Sequence, residues 1–334
     1  MNIIMENKGL VKGFLKSVLK REYNHKIVMS THKKKENLTS ALAAYFLGIP
    51  INEKIDSVRR LSDQFHASIG LISETISDLE ENGALSIVRR GQLGSILSAV
   101  DVGKLWHFSV EDPLVIAQTL PSNRRYSGLA AALKQLFTQA GIETYFSFIR
   151  GSRTRISALH QDRCHIAITS LFAANGLADN RQDIAYTFPN GSFVKSHQVF
   201  YRTHAIREKK KNIIVGFDPD SYDQYELSKL EFPENKYTYK NITFMNIFDY
   251  LKSSQIDIAI WTEEDMAAHI GKTVQCRPIS QKTRDETLRD DTKAALVINH
   301  KNQLIKNVIQ RVVNTEEIMR IQKAIIAGDV IPEY

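Results

Sequence analysis

The chain has 334 residues, 43% hydrophobic and 24% charged, which reads as a soluble globular protein too long for one small domain. Its two cysteines, Cys164 and Cys276, lie far apart without a CxxC or a histidine-rich companion, which excludes a disulfide framework and argues against a structural metal. The net charge of +7 is concentrated. Residues 1–36 carry nine Lys/Arg (Lys8, Lys12, Lys16, Lys20, Arg21, Lys26, Lys33, Lys34 and Lys35) against Glu6, Glu22 and Glu36, a net +6, which fits phosphate contact or a solvated arm.

The N-terminus lacks the apolar core of a signal peptide. The longest apolar run, Ala41 to Ile49, is too short to span a bilayer and stops before Pro50. A cytoplasmic location without membrane contact is expected. Leu10, Phe14, Val18 and Leu19 among lysines predict a basic amphipathic helix over 8–21. A second helix is predicted over Leu38–Leu47, with Leu38, Leu42, Tyr45 and Phe46 inward.

The densest pattern runs from Ser57 to Ala99. Val58, Leu61 and Phe65 form one apolar stripe of a short helix. Ser68 then reads as the N-cap of a second helix whose inner stripe is Ile72, Ile76 and Leu79 and which stops at Asn82-Gly83. Two short β runs, Ala84–Val88 and Ser95–Leu97, flank the basic glycine loop Arg89-Arg90-Gly91-Gln92-Leu93-Gly94. Helix, turn, helix and wing describe a DNA-reading module. Gly70, Ser73, Glu74 and Ser77 face away from the apolar stripe toward a major groove, with Ser68 at the front of that helix. Arg89, Arg90 and Gln92 suit phosphate or minor-groove contact from the wing, and Arg59 and Arg60 suit backbone phosphates.

Beyond a connector pinned by Leu105, Trp106 and Phe108, strands and helices alternate: strand 114–119, helix 126–140, strand 144–149, a helix opened by Gly151-Ser152, strand 165–169. After Pro189-Asn190-Gly191-Ser192 come an extended run over 194–201, the basic patch Arg207–Lys211, strand 213–217, helix 243–251, strand 256–261, strand 294–298 and a closing helix 315–327. This alternation predicts a parallel sheet with helices on its faces. Strand 213–217 is taken to start a second lobe and strand 294–298 to return to the first, so that a ligand would bind between them, outside the strands' carboxyl ends.

Polar residues recur at those ends: Ser122, Asn123 and Arg124; Arg150, Gly151 and Ser152, with Arg155 one turn on; Thr169 and Ser170; Asp218, Ser221 and Tyr222; Trp261 and Thr262. Arg150 at a helix N-terminus suits a carboxylate or phosphate, and Asp218 suits an amine. Catalytic signatures are missing: there is no G-x-S-x-G elbow, H-E-x-x-H, P-loop or complete G-x-G-x-x-G. No cofactor or metal is expected.

Several stretches carry family likenesses. Arg59-Arg60-Leu61-Ser62-Asp63-Gln64-Phe65, Ala67-Ser68, Ile76–Ala84 and the Arg-Gly-Gln-Leu-Gly wing resemble the winged helix of GntR-type regulators. Gly128-Leu129-Ala130, Ile149–Ser152, Ala167–Ser170 and Ser192-Phe193-Val194 with His197 resemble YhfZ-type regulators, over about residues 38–330. That likeness implies a winged helix joined to a periplasmic-binding-protein-like sensor. One departure stands out: where many GntR-type recognition helices begin Ser-Arg-x-Thr, this chain has Ser68-Ile69-Gly70-Leu71 and lacks the arginine.

The resulting expectation is a multidomain chain. It comprises a basic arm at 1–36, a winged helix-turn-helix (α+β) at 37–105 and a two-lobed α/β, type II binding-protein-like domain at 106–334, its second lobe over roughly 205–290. It would be a DNA-binding transcriptional regulator, a homodimer on a double-stranded operator, that senses a small anionic metabolite. The rival is an α/β enzyme with an autoregulatory DNA-binding head, for which His197 with Asp218 would be the reacting pair.

Overall fold

A computed structural model describes residues 33–110, 112–203, 212–265 and 270–334. The predicted helix over 8–21, most of the basic arm and the patch Arg207–Lys211 lie outside these residues. The chain divides between Asp112 and Pro113 into two compact units. No described helix is long and apolar enough to cross a membrane.

The N-terminal unit opens with helix α1, which runs through 33–48 and so includes Lys33–Glu36, assigned above to the arm. Then follow β1 (Lys54–Ile55), α2 (Val58–Phe65), α3 (Ile69–Glu81), β2 (Leu85–Arg89), β3 (Ser95–Val100) and α4 (Val102–Ser109). Leu42, Phe46, Leu61, Ile72, Leu79, Leu97 and Leu105 are fully buried and form its core. The strands make an antiparallel sheet in the order β1-β3-β2, with Arg90–Gly94 as the connecting loop.

Local chemistry sets the helix limits. Ser57 and Ser68 cap α2 and α3, accepting from Arg60 N and Leu71 N. At the end of α3, Gly83 at φ +66° lets its own N–H reach Glu80 O and the Ala84 N–H reach Leu79 O, closing a Schellman motif. Gly83→Ala is therefore expected to cost about 1 kcal/mol. Urea unfolding in a Trp261→Phe background, where Trp106 alone reports on this unit, would measure it; an unchanged midpoint would contradict the motif's role.

The C-terminal unit has two lobes built to one plan. The first uses β4 (Leu114–Gln118), β5 (Thr144–Phe148), β6 (Ile166–Ser170), β7 (Gln182–Thr187) and β13 (Ala294–Asn299), ordered β5-β4-β6-β13-β7. The second uses β8 (His197–Arg202), β9 (Ile214–Phe217), β10 (Thr238–Asn241), β11 (Ile258–Thr262) and β12 (Val274–Pro278), ordered β10-β9-β11-β8-β12. Ala294–Ile298 is buried on both faces, which explains its unbroken apolar sequence.

Two expectations need correction. The sheets are mixed rather than parallel. β4, β5 and β6 run parallel, as do β9, β10 and β11, but β13 and β8 each arrive from the other lobe and pair antiparallel with both neighbours. The second lobe also begins at His197 rather than near 205. Val199 and Phe200 bury in its core, and β8 sits between β11 and β12.

The helices among the described residues of this unit are α5 (Arg124–Gln139), α6 (Ser152–His160), α7 (Leu171–Gly176), α8 (Tyr222–Glu231), α9 (Ile247–Lys252), α10 (Gln281–Thr287), α11 (Gln303–Val312) and α12 (Thr315–Ala327). The chain crosses between lobes at 188–196 and 279–293, so most residues that face the cleft are held by a strand end, a helix start or one of these crossings.

Candidate ligand-binding site

A cavity of about 50 Å³ lies between the lobes. Thr119, Tyr126, Gly151, Ser152, Arg155 and Phe193 line it from the first lobe and the crossing; His197, Ser221, Asp223, Gln224, Phe244, Ile260, Trp261 and Thr262 line it from the second. Ligand pockets commonly enclose 300–1,000 Å³. This cleft is shut to a few waters' worth of space.

Arg155 projects from the first turn of α6 on the face that also buries Ile156 and Leu159. It is 3% exposed. Its Nε donates to Ile168 O and its Nη1 to Ile149 O, both at 2.9 Å. No carboxylate lies within ion-pair distance of it among the described residues. Burial lowers its pKa to about 10.

Asp223 comes from the other lobe, in the first turn of α8. Its Oδ1 accepts from Ser170 Oγ at 2.6 Å, and Ser170 in turn caps α7 by accepting from Ala173 N at 2.9 Å. Burial pushes the Asp223 carboxyl up to about 6 against the opposing pull of His197, Ser170 and Arg155. His197 Nδ1 meets Asp291 Oδ2 at 2.7 Å, and Thr287 Oγ1 donates to the other oxygen at 3.0 Å. Burial alone would lower the imidazole's pKa, but the Asp291 partner raises it overall. Two aromatic pairs complete the walls: Phe244 with Trp261 at 4.9 Å and Tyr126 with Phe193 at 5.2 Å between centroids.

Polar contacts clasp the lobes shut. Arg150 pairs with both Asp218 and Asp220 of the second lobe. Tyr222 N donates to Ser152 Oγ at 3.0 Å, Arg153 N to Asp220 O at 3.2 Å, and Arg125 Nε to Glu264 Oε1 at 2.7 Å. Arg153 also stacks over the Tyr222 ring at 5.1 Å. Gly151, at φ +77°, is one point of close approach: a Cβ there would stand 2.6 Å from Asp220 O, and a Cβ at Gly176 on α7 would meet the Tyr222 hydroxyl more closely still. The sharp turn into α6 and the tight seam both require glycine.

Of the strand-end residues proposed for the ligand, Gly151, Ser152, Arg155, Ser221, Trp261 and Thr262 line the cavity. The others do different work. Asn123 caps α5 by accepting from Arg125 N and Tyr126 N, Ser122 is exposed, and Arg124 turns away to donate to Ile325 O at 3.0 Å. Arg150 and Asp218 neutralise each other instead of facing a ligand, because closure brings them together across the seam. Thr169 is buried in the sheet, Ser170 reaches the cavity only through Asp223, and Tyr222 packs on Phe172. Nor does His197 meet Asp218; its carboxylate partner is Asp291. Thr119, Tyr126, Phe193, Asp223, Gln224, Phe244 and Ile260 line the cavity without having been singled out.

In the N-terminal unit, Arg59, Ser68, Gly70, Ser73, Ser77, Arg90 and Gln92 are exposed. Three candidates there are engaged. Glu74 is held by Lys35 at 2.5 Å, Arg60 pairs with Asp56 at 3.1 Å, and Arg89 is tied to Glu80 on α3. Glu80 thereby binds the wing to α3.

The YhfZ C-terminal domain family matches residues 101–334, well over half of the chain. The chain belongs to the YhfZ family. It is 25% identical over 304 residues to the uncharacterized protein YhfZ of Escherichia coli (strain K12), covering 90% of this chain and 98% of that protein. Among solved structures, YhfZ from Shigella flexneri matches with a TM-score of 0.58 at 23% identity, over 70% of this chain and 98% of that one, and so shares its two-lobed fold. The Bordetella pertussis BvgS periplasmic VFT2 domain matches with a TM-score of 0.48 at 9% identity, over 66% and 96% of the respective chains.

Proposed function

We propose that this YhfZ-family chain is a DNA-binding transcriptional regulator whose C-terminal unit senses a small molecule between periplasmic-binding-protein-like lobes. The observation that carries the reading is the cleft: a buried guanidinium without a counter-ion and a buried carboxylate from opposite lobes line one cavity. Such groups are costly to bury unless a ligand completes them.

The N-terminal unit is read as a winged helix-turn-helix. Its α2, turn and α3 supply the helix pair, and the Arg90–Gly94 loop supplies the wing. With Arg89 and Glu74 held by ion pairs, the free contacts would be Ser73 and Ser77 on α3, Arg90 and Gln92 at the wing tip, and Arg59. A single module reads a half-site, so a homodimer on a two-fold operator is expected. The ligand would act by favouring one lobe arrangement over another.

Catalysis is the weaker reading. The His197–Asp291 pair has the form of a general base with its orienting carboxylate. Among the described residues, however, no hydroxyl hydrogen-bonds to His197. Recovery of the ligand unchanged after prolonged incubation would support sensing; its conversion would support the enzyme.

Selection of duplexes from a random-sequence pool by the full chain tests the DNA reading. The affinity for the recovered sequence should fall linearly in log–log plots against salt, and Arg90→Ala should reduce that slope by about 1. Absence of salt-sensitive duplex binding would overturn this reading and leave an adaptor role for the N-terminal unit.

A further inference from the structure

We propose that the cleft takes a small zwitterion, a carboxylate and a protonated amine on one short carbon skeleton. Arg155 of the first lobe receives the carboxylate and Asp223 of the second receives the amine. The inference rests on the cleft being the effector site and names the chemistry of its occupant.

The reasoning is one of charge and placement. A guanidinium carries five N–H donors, and only the two given to Ile168 O and Ile149 O are taken by protein. The guanidinium lines the cavity with its remaining donors untaken by protein, and its planar fork matches a carboxylate. Asp223 has one oxygen on Ser170 Oγ and belongs to the opposite wall. The two charges influence each other but form no ion pair. His197, the other titratable group that lines the cavity, is paired with Asp291.

A bare anion would satisfy Arg155 and leave Asp223 facing a second negative charge in a water-poor space. A bare amine would do the reverse. A zwitterion satisfies both, and because the two charges stand on different lobes it would add to the contacts that already hold the lobes together. The aromatic pairs Phe244–Trp261 and Tyr126–Phe193 supply apolar walls for a short skeleton and ring faces that favour an ammonium. The closed volume of about 50 Å³ disfavours bulky side chains. The earlier expectation of an anionic effector placed on Arg150 is replaced, because Arg150 is neutralised by Asp218 and Asp220.

The test uses the full chain, with thermal shift and calorimetry against a panel of α-, β- and γ-amino acids. Each is matched with the acid that lacks its amine and the amine that lacks its carboxylate. At least one short amino acid should raise the melting midpoint by several degrees, with its matched acid and amine at least 30-fold weaker. Arg155→Lys should weaken the amino acid at least tenfold. Asp223→Asn should bring the amino acid and its matched acid to about equal affinity, a change of ratio that misfolding cannot produce. If the matched acid binds the wild type as tightly as the amino acid, the zwitterion assignment falls while small-molecule sensing stands. If nothing in the panel binds but a cell metabolite extract shifts the melt, the assignment falls likewise. If the extract is also silent, the sensing reading itself fails.

Discussion

Asp218→Ala is expected to destabilise the C-terminal unit by about 3–5 kcal/mol, without acting first on ligand affinity. The side chain is 1% exposed. It accepts from Arg150, from Phe244 N at 3.0 Å and from Asp220 N at 3.0 Å, while its own N–H donates to Gln224 Oε1 at 2.8 Å. Removing the carboxylate strands the buried Phe244 N–H and leaves Arg150 with only the half-exposed Asp220. Each orphaned buried group costs about 1–3 kcal/mol. Arg150→Ala should cost much less, about 1 kcal/mol, since the arginine is a third exposed and Asp218 keeps its two backbone donors. Urea unfolding followed through Trp261 in a Trp106→Phe background separates the two. A cost below 1 kcal/mol for Asp218→Ala would sink the clasp and restore this residue to the candidate ligand groups. The same pair of variants reports on closure: with the clasp cut, small-angle scattering of the ligand-free chain should show a larger radius for Arg150→Ala.

The misassignment of Asp218 shows which parts of this molecule can be read from sequence. The limits of α3 were legible because they are local: Ser68 and Gly83 act within four residues of themselves. Strand Ala294–Asn299 was legible because burial on both faces leaves an unbroken apolar run. Arg150 and Arg155, by contrast, are the same residue type near the same strand-to-helix turn, but Arg150 precedes the Gly151 turn and reaches the seam while Arg155 projects from the first turn of α6 into the cavity. The contacts that complete the site join residues far apart: Ser170 with Asp223, Arg150 with Asp218, His197 with Asp291. No periodicity encodes them, because only the tertiary fold brings these segments together. Glu80 is the same lesson on a smaller scale. Its ion pair with Arg89 needs the hairpin to fold back on α3, and it removes one basic contact from the wing.

Asp223→Asn should raise the stability of the ligand-free protein above pH 6, by on the order of 2 kcal/mol or roughly 4–8 °C in melting midpoint. Burial lifts the carboxyl from its ordinary 3.8 to about 6, so between those values the folded chain holds a proton that the unfolded chain has lost. Stability contributed by that proton is present at low pH and declines as pH rises through this window. The groups facing it act in known directions. His197 titrates above its ordinary value on account of Asp291, so its contribution is also lost as pH rises, in a higher window. Asp291 titrates below its ordinary value, burial being outweighed by His197, so its contribution is lost only toward acid. Arg155 stays charged throughout. The ligand-free wild type should therefore melt lower at pH 7.5 than at pH 5, and Asp223→Asn should remove most of that decline while leaving the part due to His197. A variant that melts lower than wild type at pH 7.5 would show the ionised carboxylate to be well satisfied by Ser170 and its neighbours, and not held in reserve. A bound ammonium reverses the balance, because it stabilises the ionised form and pulls the pKa down. Affinity for a zwitterion should then weaken as pH falls below 6, about tenfold per unit once Asp223 is fully protonated, and Asp223→Asn should abolish that dependence.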